Sequence, residues 1–156
     1  MRVLPLLVLA GSIASFGIER PIRLTAMLDG AQVVPPSFST CQGTGTFVLD
    51  PLANTLSYDI SYTGLVGGFE TESHFHGPAA SGQNGPALFN LPLGNRKVGV
   101  WNYPERIERA LVRGLVYVDV HSLEISPECR GQILAVVAPP TEAELGPEAA
   151  EPAAEE

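Results

Sequence analysis

The chain has 156 residues, enough for one domain with tails. Its net charge is −8, but six of its 17 acidic residues follow position 138, so the rest is only mildly acidic and shows no basic patch for nucleic acid. No sustained helical period, internal repeat, Rossmann glycine pattern or phosphate loop occurs, and no Ser/His/Asp order or paired carboxylates support hydrolysis.

Residues 1–18 stand apart. Arg2 precedes the apolar run Val3 to Ala10, and Ser12-Ile13-Ala14 offers the small residues a signal peptidase reads. The run is shorter than the roughly 20 apolar residues of a membrane span. A cleaved secretory signal is the first reading and a retained N-terminal anchor the second. The expected site of action is periplasm, cell envelope or extracellular space, with membrane contact only if the segment is retained.

The domain is expected over 19–138, as short strands between turns. Ile22 to Leu28 alternates, and Val34-Pro35-Pro36 starts an exposed loop. Gly43 to Asp50 is a strand stopped by Pro51. Asn54 to Thr63 has the clearest period of two, with Leu56, Tyr58, Ile60 and Tyr62 on one face. Phe69 to His76 is a strand, followed by a glycine-proline loop from Gly77 to Pro86. That loop reads as a connection or as the cover of a ligand. Ala87 to Leu91 is short and extended, and residues 92–103 are assigned no element. Pro104 to Leu111 predicts a short helix, with Pro104 suited to its first turn and Ile107 and Leu111 four apart. Gly114 to His121 and Arg130 to Val137 complete seven or eight strands. The fold class is an all-β antiparallel Greek-key sandwich with one short helix. Residues 139–156, rich in Pro, Ala and Glu, read as a disordered acidic tail.

The chain has two cysteines, Cys41 and Cys129, and an even count in an exported chain favours a disulfide over two separate thiols. Trp101, Tyr103, Tyr58 and Tyr62 read as core rings or as a carbohydrate-stacking surface. The three histidines are the most informative feature. His74 and His76 share one strand face, with Phe75 turned into the core. In Val116 to His121 the valines share one face, and Tyr117, Asp119 and His121 the other. Three imidazoles on two outward faces suit copper or zinc. Three ordinary surface histidines would look the same. Asp119 and Glu72 lie on the matching faces, as acceptors for an imidazole N–H or as solvated carboxylates.

Four ordered motifs carry a resemblance: Leu28 to Pro36, His74-Phe75-His76-Gly77-Pro78-Ala79 with Gly85-Pro86, Gly114 to His121, and Arg130-Gly131-Gln132-Ile133. Together they resemble the CHRD domain, named for chordin and widespread in exported bacterial proteins. The resemblance implies an immunoglobulin-like sandwich and no particular activity. A second similarity is to Cu,Zn superoxide dismutases, carried by His74 and His76 after Gly64-Leu65, by His121 at a strand end, and by Cys129 before the last strand. It departs from them in having no fourth histidine and no zinc-ligand cluster after His76. Arg130 follows its cysteine where theirs precedes, and Cys41 lies before the His-x-His strand. The expected function is a binding or structural module of the cell envelope with a metal site at His74, His76 and His121. A copper-only dismutase-like enzyme is the rival, and an accessory subunit of a larger envelope complex, held by an uncleaved N-terminal helix, the third reading; a protein partner is left unidentified.

Overall fold

A computed structural model describes residues 21–136; the expected signal and acidic tail lie outside the described residues. Eight strands and one helix follow in chain order: β1 Ile22–Asp29, β2 Gln42–Asp50, β3 Thr55–Thr63, β4 Glu70–His76, β5 Ala87–Asn90, β6 Arg96–Asn102, α1 Glu105–Val112, β7 Val116–Ser122 and β8 Cys129–Ala135. Every pairing is antiparallel, in the order β5-β4-β7-β8-β1-β2-β3-β6. The expected all-β class and short helix are both present. The sheet curls on itself, so one face encloses the core and the other faces out.

Alternation sets which residue goes inside. Leu24, Ala26 and Leu28 of β1 are buried, as are Phe47 and Leu49 of β2 and Leu56, Tyr58, Ile60 and Tyr62 of β3. Tyr58, Tyr62, Trp101 and Tyr103 are all core residues at 6% exposure or less, so they form no stacking surface for a carbohydrate.

β5 and β6 end the sheet without pairing to each other. Side chains close that seam instead. Phe89 of β5 stacks on Trp101 of β6 with centroids 5.5 Å apart, and both rings meet Phe75 of β4. Deeper in the seam, Lys97 of β6 is wholly buried. Its ammonium donates to Glu70 of β4 and to the carbonyls of Pro92 (2.7 Å) and Gly94 (2.9 Å). Glu70 also accepts from Ser73, Tyr62 (2.7 Å) and the Gly94 amide (2.6 Å). All three ammonium protons therefore have partners. For Glu70, burial would raise the carboxyl pKa, but its donors hold it below the usual range. Burial also pulls Lys97 below its ordinary value, by more than Glu70 restores. The pair ties the two unpaired edges of the sheet together across the seam.

Strand β6 is the element the sequence reading missed. Its inward positions are Lys97, Gly99 and Trp101, while Val98 and Val100 point out at 62% and 54% exposure. Gly99 leaves room for Tyr58, whose hydroxyl would lie 2.4 Å from any Cβ there.

Cys41 and Cys129 form a disulfide with Cα atoms 5.8 Å apart. Next to it, the buried Glu128 carboxylate accepts from Ser39 and from the amides of Val66 (2.6 Å) and Gly67 (3.3 Å), joining three loops at one end of the barrel. Gly67 is required there, since a Cβ would sit 2.2 Å from Ser122 Oγ.

Candidate metal centre

β4 and β7 are far apart in sequence and adjacent in the sheet. Their register sets His74 opposite Asp119, Glu72 opposite His121 and His76 opposite Tyr117. Opposite and diagonal residues on one face lie within side-chain reach. Phe75 between the two histidines is fully buried, as are Val116, Val118 and Val120 between the polar residues of β7. The three expected histidines are thus brought together on the outer face.

Of the two sequence readings of Asp119, imidazole acceptor or solvated carboxylate, the structure excludes the solvated one. Asp119 is 3% exposed and lies at the centre of the cluster. The Gly77–Pro86 loop covers the outer face of β7: the Ala79 amide donates to Leu115 O (2.8 Å), the Gly85 amide donates to Tyr117 Oη (3.2 Å), and His76 Nδ1 donates to Gly85 O (2.9 Å). Glu72 is the expected exposed carboxylate. Its oxygens lie 3.5 Å from His74 Nε2 and 3.9 Å from His121 Nδ1 at the solvent edge.

Around Asp119 the distances are short. His76 Nε2 and His121 Nε2 are each 3.2 Å from Oδ2, and His74 Nδ1 is 3.5 Å from Oδ1. One donor atom from each of the four residues falls within 4.8 Å of the others. Yet His74 Nδ1, His76 Nε2, His121 Nε2 and Asp119 Oδ1 are buried with no hydrogen-bond partner among the described residues. The contacts are close without meeting hydrogen-bond geometry, so their sign depends on the charge each ring carries.

Tautomers sharpen this point. A carbonyl can only accept, so His76 Nδ1 must carry its proton to reach Gly85 O. The neutral ring then turns a bare lone pair toward the Asp119 carboxylate. Only a second proton or a cation relieves that opposition. In the proton-bound form, burial would lower the His76 pKa, but Asp119 and the Gly85 carbonyl outweigh it and hold it above 6.5. Burial would likewise raise Asp119, but His121 and His76 hold it at about 2. His121 Nδ1 is fixed by Ser126 Oγ at 2.7 Å.

Arg130 is the residue whose place the sequence did not indicate. It is 2% exposed, and its guanidinium carbon lies 3.6 Å from the Tyr117 ring centroid. Tyr117 also stacks on His76 at 5.0 Å. A larger depression of about 540 Å³, floored by Phe47 and Tyr58 and rimmed by Val48, Val98 and Val100, shares no residue with the cluster. No helix among the described residues is long and apolar enough to cross a membrane.

Comparison with curated proteins and with solved structures gives no match. The model of the CHRD domain matches residues 24–133, which span all eight strands apart from their outermost residues. The chain belongs to the CHRD domain family.

Proposed function

We propose that this chain is an exported binding module of the cell envelope whose working part is a transition-metal site formed by His74, His76, His121 and Asp119. One observation carries the reading: four buried polar atoms, one from each residue, face one another with no hydrogen-bond partner among the described residues. Buried polar atoms are nearly always satisfied, so a set of four unpartnered ones that converge fits a cation as their common partner. Three imidazole nitrogens and one carboxylate oxygen suit Zn²⁺ or Cu²⁺ and are a poor match for Ca²⁺ or Mg²⁺, which prefer all-oxygen shells. Gly85 O and Ser126 Oγ orient two of the rings, as hydrogen-bonded partners of metal-bound histidines do. The disulfide is in keeping with an oxidising compartment. Elemental analysis after dialysis against Zn²⁺ or Cu²⁺ tests the reading. About one ion per chain is expected for the wild type, and almost none for Asp119→Ala or His76→Ala. A wild-type protein that retains no metal refutes it.

A second reading is copper redox chemistry of the dismutase type. It is favoured by the rim of the site, where the three imidazoles remain 12–15% exposed beside the open Glu72, leaving a small molecule a route in. Superoxide turnover by copper-loaded protein, lost in His121→Ala, is its expected sign. Metal binding without turnover leaves the binding module alone.

A further inference from the structure

Arg130 belongs to a different problem from the histidines. Its guanidinium is buried, and among the described residues no carboxylate pairs with it. Asp119, its register partner across β7 and β8, turns both oxygens toward the histidines. What Arg130 has instead are neutral acceptors: Gln132 Oε1 at 3.0 Å, Ala80 O at 3.4 Å and Asn84 Oδ1 at 3.5 Å. The last two are at the limit of a useful hydrogen bond. A buried cation with so little compensation is costly. Gln132 offers the guanidinium only this oxygen, since its amide nitrogen is a donor and is engaged by Ala79 O and Gly114 O.

Arg130 lines a cavity of about 410 Å³ together with Gln132, Ser81 and Gly82 and with the apolar Val33, Val34 and Pro36. That volume suits a small molecule. We propose that this cavity is a second ligand site, one that takes a small organic carboxylate with a short aliphatic chain. The planar fork of an arginine matches a planar carboxylate with two parallel N–H···O contacts, which here would replace the two long ones to Ala80 O and Asn84 Oδ1. Tyr117 holds the guanidinium plane in place. The Val33–Val34–Pro36 wall offers apolar surface to the chain of the ligand, so the pocket distinguishes a carboxylate with a tail from a bare inorganic ion. The Gly77–Pro86 loop supplies Ala80 and Asn84 to Arg130, which gives this loop a ligand-covering role beyond joining β4 to β5.

The inference does not rest on the metal reading, and the test keeps them separate. The full chain, ¹⁵N-labelled and treated with chelator, is titrated with butyrate, with its neutral counterpart butyramide, and with phosphate. Saturable movement of the Arg130 Nε–H signal and of the Ser81 and Gly82 amides by butyrate is expected, with butyramide inert and phosphate weaker. Ser81→Asp, at an exposed position on the cavity rim, places a carboxylate of its own beside the guanidinium and should weaken butyrate at least about tenfold. His121→Ala should respond as wild type does. Arg130→Gln should abolish the response, and Ser81→Asp carries the test if that variant does not fold. No movement with butyrate, an equal response to butyramide, tighter binding of phosphate, or an unaffected Ser81→Asp would each overturn the proposal.

Discussion

Adding Zn²⁺ to the metal-free protein should raise its melting temperature, and His76→Ala should erase that rise. An ion that binds only the folded state stabilises it by about 2.7 kcal/mol when present at a hundred times its dissociation constant. For a domain of this size that corresponds to about 10 °C. His76 contributes one of the four donors, a hydrogen bond to Gly85 O at 2.9 Å and a ring stacked on Tyr117 at 5.0 Å. Losing the last two should cost the metal-free protein about 2 kcal/mol. The two effects separate in a melt by calorimetry with and without Zn²⁺: a lower baseline in the variant, and no metal-induced rise. The rise should also depend on pH. With its folded pKa above 6.5, His76 stabilises the metal-free fold by holding a proton below 6.5, and that contribution is lost as pH climbs through the raised value. The proton and the metal compete for Nε2, so the Zn²⁺ effect should be full near about pH 8 and gone near about pH 5. An equal Zn²⁺-induced rise in wild type and His76→Ala would refute the reasoning.

Other expectations concern the frame. The Cys41–Cys129 bridge closes a separation of 88 residues, so Cys41→Ser/Cys129→Ser should lose roughly 4.5 kcal/mol in the chain-entropy model, read by urea unfolding; a loss near zero would show that the native state gains nothing from the bridge. Lys97→Met strands the buried Glu70 and should cost about 3–5 kcal/mol, while Glu70→Gln/Lys97→Met should recover more than half of it. A double variant no better than Lys97→Met would mean that the uncompensated charge is not the cause. For Glu128, burial would raise the carboxyl, but Ser122, Ser39 and the Val66 and Gly67 amides hold it below 4.5. Its contribution is therefore present above 4.5 and lost as pH falls through the depressed value, so Glu128→Gln should flatten the acid limb of a stability–pH profile. An unchanged limb would remove Glu128 from acid unfolding.

The strands with ordinary alternation were legible, and β3 is the clearest case. Strand β6 was not, because its pattern is inverted: a lysine faces in and two valines face out. Lys97 is tolerated inside only because Glu70, 27 residues earlier, and two loop carbonyls meet it, and no local window contains that information. For the candidate site, the two-residue spacing of His74 and His76 placed them on one face, and the valines of β7 placed His121 on the other strand's outer face. The pairing of β4 with β7 supplied the convergence. Asp119 was visible on the same face, but the three imidazoles that surround it meet there only through the pairing of β4 with β7. Arg130 looked like an ordinary strand residue beside a cysteine; that its neighbour Asp119 turns to the histidines and forms no ion pair with it is a tertiary fact.

The donor set is split between β4 and β7, with His74 and His121 47 positions apart. Neither strand alone brings more than two donors, and β7 is held in place by β8, whose other partner β1 comes first in chain order. An extended chain therefore has no four-donor site to load. If it crosses a membrane unfolded, the choice of ion passes to whichever compartment the chain folds in, and the metal supply there, more than the preference of the four donors, decides what the finished protein carries.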